Sequence, residues 1–419
     1  MNANRTVKIT VLTLLVFCAA GFATRRQFYV EALVNPFFGL ALASVLILHF
    51  RIRPRWIDAG LVALGTLALA FVDFRLLHYA PRIMAWFSFV GVSSFAVLGA
   101  ACVQERGERR KLLLYAWVPA VMFMVSEWFA SDMLEWVATA HPKTLDLYLL
   151  SFDATLRVQL SFLVGRIFAS WAWLHMAGLI AYMGLAVPIT LVYAGRLGRF
   201  GDRAFSAMLA FLVTGPVGIV FYNIFPACGP AHVVPRYFPF HPFTTSQLSR
   251  LLLEPVAATG VPNAIPSLHM AWTLLAWWYS RGLSWWERGV VFLFLVLTVV
   301  ATLGTGEHYF VDLVVAFPFA LMIEAICEYE LRWTDSQRWQ AAGIGFGGTM
   351  LWLVLLRFAN RLFWTSPVVP WTLIAGTIAL VYVRHRELAS ARAAMKQGVI
   401  SADLTPADFG QSTRINVSA

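Results

Sequence analysis

Long apolar stretches alternate with short basic loops along most of this chain. About twelve stretches are long or apolar enough to predict membrane-embedded helices, at roughly 20 residues per crossing. They run over residues 7–23, 29–49, 57–74, 83–102, 112–131, 169–193, 203–222, 267–279, 288–303, 308–326, 341–356 and 367–383. Residues 144–168 are also apolar, but Asp146, Asp153, Arg157 and Arg166 interrupt them. That segment reads as an amphipathic or re-entrant stretch lying at the interface rather than a span. Residues 225–266 form the longest polar connection, and the tail past Arg384 reads as polar and unstructured. No internal repeat and no soluble domain is visible. The pattern predicts an all-α, polytopic transmembrane helical bundle.

Composition agrees. Hydrophobic residues make up 59% of the 419 and charged residues 13%, with mean hydropathy +0.69. A soluble fold needs more polar surface than this. Tryptophans such as Trp56, Trp86, Trp285, Trp286 and Trp371 sit near stretch ends, as in an interfacial aromatic belt. The net charge of +10 is spread over short loops, which argues for topogenic charge and against nucleic acid as a partner. Cys18, Cys102, Cys228 and Cys327 lie far apart, with neither metal-ligand spacing nor a disulfide framework. The first stretch, 7–23, lacks a clear cleavage site and reads as a retained anchor.

With the N-terminus inside, the inner segments take about two thirds of the 32 basic residues. The positive-inside rule then predicts both termini in the cytoplasm. It also turns the loop before His269 and the turn before His308 to the non-cytoplasmic face.

Those two histidines are the candidate chemistry. His308 and Asp312 are spaced i, i+4, on one helix face. A carboxylate there can take the Nδ1 proton and leave Nε2 with an outward lone pair. Taken alone, such a pair also serves to lock a helix end. His269 follows Pro266 and Ser267, an order that suits a first helical turn whose amides face an anion. Ser267 adds a hydroxyl donor, and His269 can protonate a leaving oxygen. With His308 opening the next-but-one stretch, two helix N-termini are expected to converge on one phosphate. Pro-Ser as a simple cap is the plainer alternative.

The run Pro266-Ser267-Leu268-His269, followed by His308-Tyr309-Phe310-Val311-Asp312, resembles the type 2 phosphatidic acid phosphatase superfamily. It is most similar to the branch containing the inositol phosphorylceramide synthases. The resemblance implies a six-helix core over residues 112–326. It divides the chain into N-terminal helices (1–110), a catalytic core (111–330), C-terminal helices (331–383) and a cytoplasmic tail (384–419). It further implies His308 as nucleophile forming a phosphohistidine, Asp312 as its orienter and His269 as general acid, with no metal or other cofactor. The implied partners are the bilayer and a lipid phosphate or phospholipid substrate.

Two features depart from the family pattern. Thr302 stands where the lipid phosphatases carry an Arg, and their upstream K-x6-R-P phosphate clamp is absent. In its place runs Tyr222-Asn223-Ile224-Phe225-Pro226-Ala227-Cys228-Gly229-Pro230, similar to the Pro-rich segment of the synthase branch. Ser267, Tyr222, Arg236 and Arg250 are therefore the candidate substrate contacts. The missing clamp favours transfer of a phospho-headgroup, or a larger lipid, over simple phosphatidate hydrolysis. Glu127 and Asp132 are further candidates for an acceptor hydroxyl, or else a structural ion pair. A lipid or solute transporter is the competing class, and a degenerate lipid-binding scaffold is a third. Gly343 to Gly348 superficially suggests a dinucleotide loop, but lies in an apolar stretch and fits close helix packing.

Overall fold

A computed structural model describes residues 36–52, 54–77 and 83–403, with the side chains of 123–132 and a few others left out. In chain order the helices are α1 (Pro36–Arg51), α2 (Trp56–Val72), α3 (Ile83–Gln104), α4 (Gly107–Ala140), α5 (Asp146–Thr155), α6 (Leu160–Ser170), α7 (Ala172–Met183) and α8 (Ala186–Phe200). After these come α9 (Phe205–Ile224), two short helices, α10 (Pro230–Val233) and α11 (Thr245–Ser249), and then α12 (Leu268–Tyr279). The chain continues with α13 (Trp285–Gly304), α14 (Phe310–Ile326), α15 (Ser336–Phe358) and α16 (Val368–Asp403). The protein is all-α, apart from an antiparallel bridge pairing Lys143 with Ala257 and Thr144 with Val256.

Six described helices are long and apolar enough to cross a membrane, or up to eight if each of two bent pairs is one span. Several of the twelve expected stretches differ in detail. Residues 169–193 break at Gly184 into α7 and α8, bent by 54°. Residues 267–279 form α12, whose 12 residues rise about 18 Å, short of a hydrocarbon core of about 30 Å. The stretch 7–23 and the side chains of Glu127 and Asp132 lie outside the described residues.

Two expectations need correcting. Residues 144–168 do not lie at a surface throughout: α5 and α6 meet at 92°, as in a broken span or the re-entrant alternative, and α5 is buried along nearly its whole length while α6 keeps an exposed face. The buried polar residues of α5, Asp146, Ser151, Asp153 and Thr155, find partners inside the protein, which removes the need for water. Residues 385–403 of the tail are not unstructured either, since α16 continues unbroken to Asp403, and 404–419 lie outside the described residues. His385 and Arg392 on that extension reach Glu324 of α14 at 2.7 Å each, and Arg392 also reaches Glu328 at 3.0 Å. Composition concealed this, because each polar residue answers a buried partner far away in sequence.

Helix α14 is the centre of the bundle, buried from Val311 through Val315 and again over most of its later length. Helix α15 lies so close to it that a Cβ at Gly345 would meet the backbone of Met322 and Pro318 at 2.5–2.6 Å. Gly345 and Gly348 thus serve the expected close packing, while Gly343 and Gly347 have no neighbour that a Cβ would meet. Local signals start the flanking helices: Asp335 accepts from the amides of Gln337 and Arg338 to open α15, and Glu287 closes a capping box at the start of α13.

Removing one member of a buried ion cluster strands the others, at a cost of about 3–5 kcal/mol. Arg392→Met should therefore lower the unfolding free energy in detergent by about that much. Arg384→Ala, which loses a more exposed pair with Glu387 and a long hydrogen bond to Gln340, should cost under about 1 kcal/mol. Equal losses for the two variants in thermal melts would contradict this account of the α14–α16 contact.

Candidate active site

The turn before α14 and the first turn of α12 meet face to face. The imidazole of His308 is buried, and its two nitrogens have separate partners. Nδ1 lies 2.9 Å from the carbonyl oxygen of Ala264 and 3.5 Å from Oδ2 of Asp312. A carbonyl only accepts, so Nδ1 carries the proton in this arrangement. Nε2 is then the unprotonated nitrogen, and the Ser267 hydroxyl, 3.2 Å away, donates to it.

Ser267 ties the two turns together. Its hydroxyl oxygen accepts from the amide of Met270 at 3.4 Å, capping α12, and its own amide donates to the carbonyl of Asp312 at 3.2 Å. His269, two residues on, is stacked on Tyr182 with ring centroids 3.8 Å apart, and Trp272 meets it edge-on at 6.2 Å. The two imidazoles are within electrostatic reach of each other. Tyr222 is buried on α9 and stands within similar reach of Tyr182 and Asp312. His308, Asp312, Ser267, His269 and Tyr222 thus form one cluster.

Arg236 and Arg250 are exposed, and among the described residues neither forms a hydrogen bond or ion pair with that cluster. Thr302 is buried, its hydroxyl turned back to the carbonyl of Thr298 at 2.8 Å. It supplies no donor in place of the family's arginine.

The expected convergence of two helix N-termini on one anion is not what the backbone shows. The first amides of α14 are occupied internally. Tyr309 donates to Oδ2 of Asp312 at 2.8 Å, and Phe310 and Val311 donate to the carboxylate of Asp153 at 2.8 and 3.3 Å. Side-chain oxygens of Asp312 and Asp153 already occupy those amides, so an anion cannot use them without displacing the two acids. Asp312 is correspondingly as much a cap for its own helix as a partner of the imidazole, and its Oδ1 has no hydrogen bond among the described residues.

Sequence reasoning missed three participants: the Ala264 carbonyl, Asp153, and Ser161, whose hydroxyl donates to the carbonyl of His308 at 3.1 Å. A backbone carbonyl leaves no residue-type signature. Asp153 did leave one, an acid inside an apolar segment, which ordinarily marks a buried partner.

The polar connection 225–266 is fastened over the cluster. Asp146 accepts from the amides of Cys228 and Gly229 at 2.8–3.2 Å. Gly229 has φ +102°, and a Cβ there would strike the backbone of Glu307 at 2.4 Å, so only glycine fits. His232 bonds both carboxylate oxygens of Glu307 at 3.1 Å, one residue before His308.

Residues 147–326 match the PAP2 superfamily. The PAP2 match begins inside α5 and ends at the last residue of α14, so it takes in His269, His308 and Asp312 and stops short of α15 and α16. With the apolar helices, it supports a lipid-phosphatase-like integral membrane protein with its substrate in the bilayer. No curated protein and no solved structure matches the chain.

The hydrogen bond to Glu307 raises the pKa of His232 above 6.5. A raised folded pKa stabilises below the unfolded value, and the benefit is lost as pH rises through the folded one. The fastening should therefore be strongest in mild acid. In limited proteolysis of the 225–266 connection, His232→Gln should differ from the parent more at about pH 5.5 than at about pH 9. An equal difference at both would show that the pair carries no charge.

Proposed function

We propose that the protein is a membrane-embedded phosphatase or phosphotransferase that works through a phosphohistidine on His308. The observation that carries this reading is the division of labour on the imidazole. Nδ1–H is held by the Ala264 carbonyl with Asp312 beside it, and Nε2 is left with a lone pair against the Ser267 hydroxyl. Attack of Nε2 on phosphorus forms a P–N bond and expels an alkoxide, to which protonated His269 delivers its proton. Water or an acceptor alcohol then attacks the phosphohistidine, giving its own proton to His269 as the P–N bond breaks. The Ala264 carbonyl and Asp312 stabilise the positive charge that develops on the ring. Ser267 is suited to turn its hydroxyl from Nε2 to a phosphoryl oxygen.

The electrostatics favour a phosphodiester lipid as donor. Asp146, Asp153, Asp312 and Glu307 crowd the His308 turn, and no Lys or Arg bonds to the cluster among the described residues. A dianionic monoester finds no bonded cation there to balance its second charge, which a monoanionic diester does not carry. Headgroup transfer of the kind performed by the inositol phosphorylceramide synthase branch is the corresponding reaction. The distribution of basic residues supports a site on the non-cytoplasmic face and cytoplasmic termini.

Purified protein should turn over a phospholipid or lipid phosphate in detergent micelles, and His308→Ala should abolish this while leaving the melting temperature near that of the parent. His269→Ala should lower kcat by about 10²- to 10⁴-fold, the usual contribution of a positioned acid. Asp312→Asn should slow the chemistry with KM little changed. Millimolar orthovanadate should inhibit. Turnover retained by His308→Ala refutes the assignment.

A further inference from the structure

The bent pair α5–α6 holds the backbone at His308 and just after it, at successive points. Asp153 accepts the amides of the two residues at the start of α14, Phe310 and Val311, and Ser161 donates to the carbonyl of His308 itself. Asp146, seven residues before Asp153 and so on the same helix face, anchors the Cys228-Gly229 turn against Glu307.

Ordinary helix capping does not account for this. Asp312 already caps α14 locally through the amide of Tyr309. Asp153 arrives from an element 157 residues away, is fully buried, and has no Lys, Arg or His partner among the described residues. A buried unpaired carboxylate costs several kcal/mol unless its hydrogen bonds compensate, and here they go only to the backbone carrying His308. Ser161 acts on the peptide unit just before those amides, joining His308 to Tyr309, and bears no charge.

We propose that Asp153 and Ser161 are positioning residues for the reaction, fixing the backbone register that sets Nε2 of His308 against Ser267 and Nδ1 against the Ala264 carbonyl. The proposal rests on the reading of His308 as nucleophile. It makes the α5–α6 pair part of the catalytic apparatus rather than a cover over it. A misplacement of about 1 Å in such a group costs on the order of 10²-fold in rate, so a loosened brace is read in kcat and not in KM.

The test uses the full-length protein in detergent, with dioctanoyl phosphatidylinositol and dioctanoyl phosphatidic acid as probes, and amide hydrogen exchange of the segment 309–312. Asp153→Asn should lower kcat by about 10- to 100-fold with KM within about twofold. Exchange across 309–312 should accelerate while α9 and α16 stay unchanged. Ser161→Ala should shift both readouts the same way by a smaller factor, and it decides the matter if Asp153→Asn fails to fold. Unchanged kcat in the folded variants, a change confined to KM, or unchanged exchange overturns the proposal. Should the parent protein turn over neither lipid, the nucleophile assignment fails separately. Exchange then decides the brace alone, upholding it if accelerated and overturning it if not.

Discussion

The arrangement turns on a carboxylate that takes up the free amides at the start of α14. A helix beginning inside apolar surroundings must satisfy its first N–H groups without water. Here Asp153 takes two of them and Asp312 a third. This fixes where His308 stands, because the imidazole belongs to the residue just before those amides. It also fixes what the helix start can bind. Where a helix N-terminus would otherwise attract an anion, this one presents amides already occupied. On the proposed reading, the phosphorus is instead approached from the α12 side, past Ser267 and His269.

The same helix is held at its other end by charge of opposite arrangement. Glu324 and Glu328, buried at the C-terminal end of α14, meet His385 and Arg392 of α16. One helix thus carries buried acids at both ends, satisfied by backbone amides at one and by cations at the other. Such a helix has little freedom to slide, since a shift of one residue would unpair groups at both ends at once. That rigidity suits the proposed site, in which a ring on α12 and one in the turn before α14 address a single phosphorus atom. It also explains why α15 and α16, outside the matched segment, pack directly against it.

The sequence disclosed the fold class and the centre of the site for the same physical reason: both are written in local spacing. Apolar length predicts membrane helices, and H-x3-D and Pro-Ser-x-His mark helix starts. The i, i+4 spacing does bring His308 and Asp312 to 3.5 Å. What stayed hidden depends on partners distant in sequence. Asp146 and Asp153 looked like reasons to hold residues 144–168 at a surface, and they are instead the means of burying α5. His385 and Arg392 looked like solvated tail, yet each has a glutamate on α14. Arg236 and Arg250 were chosen for charge and loop position, and charge alone did not bring them into the cluster. A backbone acceptor such as Ala264 has no signature at all.

The most direct test of the account is an experimental structure with orthovanadate bound. It should show vanadium bonded to Nε2 of His308, its oxygens near Ser267 and His269, and the amides of Phe310 and Val311 still on Asp153. Vanadate seated on those amides with Asp153 displaced, or bound without touching His308, would contradict it.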